Sequence, residues 1–222
     1  MGITQFELVI FDCDGVLVDS ETIINRIFAE MLTEVGFPIT YTEVNQQLKG
    51  KSLKTCLEII EQTYRKPMPK DFAERCKERE FAAFQQELQP VSGITEILEQ
   101  ITLPKCVASN SSHRHIQLVL NLTGLIHKFH EKLYSVNDVA RPKPFPDIYL
   151  YAAQQMNTNP ESCVVIEDSV SGVQAAYKAG MTVFGYVHDS DGAALTAAGA
   201  KIIFNDMHKL PQLLYLNSAR VS

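Results

Sequence analysis

Four carboxylates stand directly after two short apolar runs of the sequence. The runs are residues 6–11 and 163–166, and the acids that follow them are Asp12, Asp14, Glu167 and Asp168. If the two runs are neighbouring parallel strands, the acids converge at the carboxyl edge of the sheet, where such sheets build their sites. Because like charges repel, the cluster requires cations, and oxygen ligands of this kind suit Mg²⁺. Asp12 and Asp14 taken alone would also fit an ordinary acidic turn.

Anion-binding side chains follow at two other predicted loops. The segment Ser109-Asn110-Ser111-Ser112 stands between an apolar run and a helical pattern, and hydroxyl and backbone N–H groups at a helix start can bind an anion. A plain serine N-cap is the alternative for this segment. Lys143 lies among three prolines, which restrict its backbone. Its charge could balance the carboxylates and bind phosphate, and a solvated lysine is the alternative.

Two histidine pairs have spacings that suggest a metal site. No cysteine or third ligand is spaced to complete such a site, so the pattern favours surface or cap histidines. They are His113, His115, His127 and His130.

The elements that must position these residues alternate between strand and helix. Five short apolar runs read as buried strands, at residues 6–11, 105–108, 163–166, 182–187 and 201–204. Helical patterns separate most of them. This alternation predicts an α/β fold with a parallel sheet.

The stretch from about residue 20 to 88 contains no strand candidate. It shows four helical patterns, with Gly36 as the predicted end of the first and Thr40 to Glu43 as a capping box for the second. We therefore predict a helical domain at residues 19–88, inserted into a core formed by residues 1–18 and 89–222.

Composition excludes several classes of protein. The chain has 222 residues, of which 45% are hydrophobic and 21% charged, so it is neither a disordered chain nor a disulfide scaffold. Its net charge of −6 disfavours nucleic acid or an anionic membrane as the main partner. Five cysteines without a CxxC pair indicate reduced thiols. The N-terminus lacks a secretory pattern and no apolar run approaches ~18 residues, so we expect a cytoplasmic protein.

The motifs together resemble one family. In order they are Asp12-x-Asp14-Gly15-Val16-Leu17-Val18-Asp19-Ser20, Ser109-Asn110, Lys143-Pro144 and Glu167-Asp168-Ser169. They resemble the haloacid dehalogenase superfamily of phosphoryl-transfer enzymes, in its group of sugar-phosphate phosphatases, phosphoglycolate phosphatases and β-phosphoglucomutases. The resemblance implies a Rossmann-like core with an inserted α-helical cap.

The resemblance also implies roles for the two first acids and for the metal ligands. Asp12 would be the nucleophile that forms an aspartyl-phosphate, and Asp14 would be the general acid and base. Mg²⁺ would be held by Asp12, the backbone carbonyl of Asp14, and Asp168, with Glu167 bound directly or through water.

The remaining implied roles concern the substrate. Ser109, Asn110 and Lys143 would bind the phosphoryl group, and Lys143 would also pair with Asp12. The family places its specificity loop near Lys49 and Lys51, so these lysines are candidates for contact with the rest of the substrate. A solvated loop is the alternative for them.

Other reactions of the family fit the sequence less well. A hydrolytic dehalogenase has no alcohol to protonate and would not need Asp14. Phosphomutases of the group resemble a motif that has a histidine at the position of Ile24. Because this chain has no histidine there, a mutase is the second hypothesis. A non-catalytic protein of this fold would have lost catalytic residues. We therefore predict a phosphatase acting on a small phosphorylated metabolite, and we expect a monomer.

Overall fold

One parallel sheet forms the centre of the computed structural model, which describes residues 6–48, 53–187 and 192–216. Its strands are β1 (Leu8–Phe11), β2 (Lys105–Ser109), β3 (Leu133–Ser135), β4 (Cys163–Glu167), β5 (Thr182–Tyr186) and β6 (Ile202–Phe204). They are arranged in the order β3-β2-β1-β4-β5-β6. The strand order reverses between β1 and β4, and open α/β sheets bind ligands beyond the carboxyl ends of such strands. The α/β prediction is confirmed.

All five predicted strands are present, and their ends differ from the predicted ones by at most two residues. The sequence did not reveal β3, which has three residues and pairs only with β2 among the described strands. A run of three residues is too short to show a strand period.

The core explains why the strand sequences are continuously apolar. Leu8 and Ile10 of β1 belong to a buried cluster that also includes Tyr149. Phe11 points to the opposite face, where its ring lies 6.1 Å from that of Phe129. Because both faces of β1 are covered, no position along it favours a polar side chain.

The chain divides into two units, one formed by residues up to Asp19 and from Gln89 onward, the other by Ser20–Leu88. The described helices of the second unit are α1 (Glu21–Glu34), α2 (Tyr41–Leu48), α3 (Leu53–Tyr64) and α4 (Phe72–Glu87). Gly36, with a φ of +82°, follows the end of α1. Thr40 and Glu43 form the predicted capping box, with N–H to side-chain oxygen distances of 2.8 and 3.3 Å.

The described helices of the first unit alternate with its strands. They are α5 (Ile94–Gln100), α6 (His113–Leu122), α7 (Asp147–Gln155), α8 (Val170–Lys178), α9 (Gly192–Ala198) and α10 (Leu210–Leu216). Short 3₁₀ helices cover Ile126–Lys128, Val136–Asp138, Pro160–Ser162 and Met207–Lys209. Across the described ranges, every helix is too short or too polar to cross a bilayer.

The first turn of α8 approaches the end of β4 closely. Ser169 caps the helix, since its hydroxyl accepts a hydrogen bond from the Gly172 N–H at 3.1 Å and lies 2.9 Å from Glu167 Oε2. The Glu167 side chain is fully buried against this turn. A Cβ atom on Gly172 would overlap the Glu167 carboxylate, so this position requires glycine.

Gly172→Ala should therefore destabilise the protein, although alanine is normally the better helix former. The added methyl group must displace a buried carboxylate from its partners, which we expect to lower the free energy of unfolding by about 2–4 kcal/mol. Urea denaturation checks this. Ser171→Ala, one residue earlier in the same turn, is the control and should stay within about 0.5 kcal/mol of the wild type. An equally stable Gly172→Ala variant would contradict the prediction.

Candidate active site

The carboxyl ends of β1 and β4 bring three of the predicted acids together. The two strands are neighbours, with Phe11 opposite Ile166, and the Asp12 N–H donates to the Ile166 carbonyl at 3.0 Å. Carboxylate oxygens of Asp12, Glu167 and Asp168 lie within 4.8 Å of one another. The predicted convergence of acids at this edge of the sheet is therefore present.

Lys143 lies between two of these acids. Its ammonium group donates to Asp12 Oδ1 at 2.6 Å, to Glu167 Oε1 at 2.7 Å and to the Ala108 carbonyl at 3.0 Å. Only 3% of the side chain is exposed. Burial acts to lower the pKa of Lys143, but the two carboxylates outweigh it and hold the pKa above its usual value. The lysine is therefore a permanent positive charge inside the site.

Glu167 is held by hydrogen bonds on both oxygens. Oε1 accepts from Lys143 and from the Tyr149 hydroxyl at 2.8 Å. Oε2 accepts from the N–H groups of Asp168 and Ser169, each at 3.0 Å. Burial acts to raise the pKa of Glu167, but Lys143 and these hydrogen bonds outweigh it and lower the pKa. Glu167 therefore stays ionised and anchors the lysine.

Asp12 lies in the buried cluster beside the positive charge of Lys143 and the negative charge of Glu167. Burial raises the pKa of Asp12 to about 7, Lys143 opposes this rise, and Glu167 adds to it. A further positive charge beside Asp12 would favour its ionised, nucleophilic form.

The donor set fits a divalent cation. Three carboxylates meet one ammonium group here, so the cluster carries an excess of negative charge. Oxygen-only ligands suit a hard ion such as Mg²⁺. Gly15, with a φ of +83°, makes room for this arrangement, because a Cβ atom there would overlap the Asp168 carboxylate.

Asp14 is not one of these three acids, and it contacts the segment at the start of α6. Ser111 Oγ donates to Asp14 Oδ2 at 2.8 Å, and His115 Nε2 lies 3.0 Å from Asp14 Oδ1. His115 therefore contacts Asp14, which its spacing in the sequence did not indicate. Spacing along a helix does not reveal what its first turn faces, and α6 follows β2, the neighbour of β1.

The other histidines differ from His115 in their surroundings. His127 and His130 are exposed, as predicted. His113 lies 2.9 Å from Asp138 Oδ1, and its side chain is 42% exposed.

Two of the predicted phosphate-binding residues, Ser109 and Asn110, stand at the carboxyl end of β2. Ser109 ends the strand, is almost fully buried, and accepts a hydrogen bond from the Ser111 N–H at 3.0 Å. Asn110 Oδ1 accepts from the Lys143 N–H at 2.9 Å, so Asn110 secures the backbone that carries the lysine. Lys49 and Lys51 lie outside the described residues.

Sequence reasoning did not find the contacts of three residues with the predicted acids, Ser111 and His115 with Asp14 and Tyr149 with Glu167. Ser111 and His115 lack a motif of their own, and Tyr149 is hidden in the apolar pattern of α7, where an aromatic residue reads as core. Ser111 was part of the predicted anion-binding segment, and its place after β2, at the edge where the acids converge, is the signal that could have indicated Asp14 as its partner.

Comparison with known proteins gives consistent matches over nearly the whole chain. Residues 9–186 match the family model of haloacid dehalogenase-like hydrolases. The 6-phosphogluconate phosphatase of Escherichia coli K12 is 35% identical over 211 residues, which make up 95% of each chain.

Two solved structures are also similar. A haloacid dehalogenase-like protein from Agrobacterium tumefaciens has a TM-score of 0.90 and 34% identity, covering 96% of this chain and 99% of its own. A hydrolase of the same family from Deinococcus radiodurans, with phosphate and sodium bound, has a TM-score of 0.85 and 33% identity, covering 97% of both chains. The motifs, the sheet order and these matches agree, and the chain belongs to the haloacid dehalogenase-like hydrolases.

Proposed function

We propose that the protein is a Mg²⁺-dependent phosphatase that hydrolyses a small phosphorylated metabolite through an aspartyl-phosphate at Asp12. The observation that carries this proposal is the Asp12 carboxylate, fixed by Lys143 at 2.6 Å within an acidic cluster at the reversal point of the sheet. The E. coli relative is named a 6-phosphogluconate phosphatase, and the Deinococcus hydrolase holds phosphate. The chain is accordingly a hydrolase of phosphoric monoesters, and a phosphorylated sugar or sugar acid is the proposed substrate class.

The acidic cluster is the proposed metal site. Asp12, Asp168 and the backbone carbonyl of Asp14 would hold Mg²⁺, with Glu167 bound directly or through water. When bound, Mg²⁺ shields Asp12 from the negative phosphoryl oxygens and stabilises the charge of the transferring group.

Asp12 and Asp14 divide the reaction between them. Asp12 attacks phosphorus, an oxygen–phosphorus bond forms, and the ester bond breaks as Asp14 gives its proton to the leaving alcohol. A water molecule then attacks the phosphorus of the aspartyl-phosphate while Asp14 takes a proton from that water. Asp12 is regenerated and inorganic phosphate leaves.

Lys143 and Ser109 would hold the phosphoryl oxygens during both steps. The Lys143 ammonium has three N–H groups, which in the structure point to Asp12, Glu167 and the Ala108 carbonyl. Binding of a phosphoryl oxygen therefore requires one of these contacts to be shared or exchanged.

Discrimination between substrates is assigned to the inserted helical unit, Ser20–Leu88. The core residues meet only the phosphoryl group, which all phosphomonoesters share, so we propose this unit as a cap, with Lys49 and Lys51 contacting the rest of the substrate.

Ile24 of α1 cannot transfer a proton, and this favours a phosphatase over a mutase. The five cysteines are free and buried, which fits a reducing compartment such as the cytoplasm.

Removal of divalent cations should abolish phosphate release. A panel of sugar phosphates, 6-phosphogluconate and phosphoglycolate identifies the best substrate, and phosphate release is then measured in excess EDTA and after addition of Mg²⁺. We expect loss and recovery of activity, because the uncompensated acids repel the phosphoryl group. The Asp12→Asn protein, purified in parallel, controls for contaminating phosphatases. Full activity in excess chelator would contradict the metal assignment.

Asp14→Asn should affect poor leaving groups more than good ones. A sugar hydroxyl must be protonated as it leaves, whereas nitrophenolate leaves without a proton. We expect kcat/KM to fall by about 10²–10⁴ for the best metabolite and much less for nitrophenyl phosphate. Equal losses on both substrates would show that Asp14 is not the general acid.

A further inference from the structure

Two side chains at the start of α6 hold the Asp14 carboxylate, and we call Ser111 and His115 the Asp14 clamp. Ser111 Oγ donates to Oδ2 at 2.8 Å. His115 Nε2 lies 3.0 Å from Oδ1, within hydrogen-bond distance. Each carboxylate oxygen therefore has a hydrogen-bond partner in the clamp.

The clamp is itself fixed to the core. The Ser111 N–H donates to Ser109 Oγ at 3.0 Å, and the Ser111 carbonyl accepts from Ser135 Oγ at 2.7 Å. Ser112 caps α6 by accepting from the His115 N–H at 3.3 Å. Both members of the clamp thus stand on backbone that buried serines and a helix cap hold in place.

Asp14 needs such support more than Asp12 does. The Asp14 side chain is 24% exposed and stands outside the acidic cluster. The next residue, Gly15, has a φ of +83° and belongs to a tight turn. A general acid must lie within hydrogen-bond reach of the leaving oxygen, and a displacement of about 1 Å can cost about 10² in rate.

We propose that Ser111 and His115 are positioning residues that orient the Asp14 carboxylate for proton transfer. The inference rests on the proposed phosphatase function and extends it to a histidine outside the four family motifs. The clamp acts through Asp14, so its removal should harm only the steps that use the Asp14 proton.

His115→Leu removes the group that hydrogen-bonds Asp14, and His115→Gln keeps a hydrogen-bonding group near the position of Nε2. We expect His115→Leu to lower kcat/KM for the best metabolite by about tenfold or more, and to change it by no more than about twofold for nitrophenyl phosphate. His115→Gln should recover most of the loss. The ratio kcat/KM reports the steps up to release of the leaving group, so it isolates the acid step.

His113→Leu is the matched control. This histidine stands two residues earlier in the same helix and contacts Asp138 instead of Asp14, so both kcat/KM values should stay at the wild-type level. A double-mutant cycle adds the decisive comparison. In the Asp14→Asn background, His115→Leu should cost no more than about twofold further, because residues that act through one another are not additive.

Three kinetic outcomes would overturn the proposal. Equal losses on both substrates would give His115 a merely structural role, and a full further loss in the Asp14→Asn background would show that it acts independently of Asp14. An unchanged His115→Leu variant would likewise show that the contact is dispensable.

Crystallography separates this proposal from the proposed function. We expect the Asp14 carboxylate to leave its wild-type position in His115→Leu and to keep it in His115→Gln and His113→Leu. If the wild type hydrolyses no phosphomonoester, the proposed function fails, and these structures still decide whether the clamp positions Asp14. An undisplaced carboxylate in His115→Leu would overturn the proposal.

Discussion

A buried ammonium group between two buried carboxylates is the interaction on which the site depends. Lys143 joins Asp12, which follows β1, to Glu167 at the end of β4. Taking charges out of water is costly, and removing one partner of a buried pair typically costs about 3–5 kcal/mol. Because each group compensates another, the strand ends and the loop that carries Lys143 must come together for the charges to be buried.

The two aspartates of the first motif have different surroundings. Asp12 is buried and faces a fixed positive charge, which suits a nucleophile that must approach an anionic phosphoryl group. Asp14 is partly exposed and contacts Ser111 and His115 at the start of α6, which suits a group that exchanges protons. Two carboxylates in one motif can take separate roles when their environments differ.

The sequence predicted the elements whose signal is local. The buried strands were visible because both sheet faces are covered, and the acids at the ends of β1 and β4 were visible because they follow those strands directly. Contacts between distant segments carry no such signal. His115 contacts Asp14, which lies 101 residues earlier in the chain, and Tyr149 contacts Glu167 from an apolar helix face. The helical pattern at each of these positions would be the same if the contact were absent.

The direct test of the account is to trap the phosphoryl group on the enzyme. The Asp14→Asn protein, slowed in the step that hydrolyses the intermediate, is mixed with nitrophenyl phosphate and Mg²⁺ and quenched in acid. Borohydride reduction and peptide mass spectrometry then locate the acyl phosphate. We expect the borohydride-reduced residue to be Asp12. Hydroxylamine treatment before the reduction should remove the phosphoryl group, because acyl phosphates react with hydroxylamine. A phosphoryl group on Ser109 or another residue, or an Asp12→Asn enzyme that keeps about a tenth or more of wild-type turnover, would contradict Asp12 as the nucleophile.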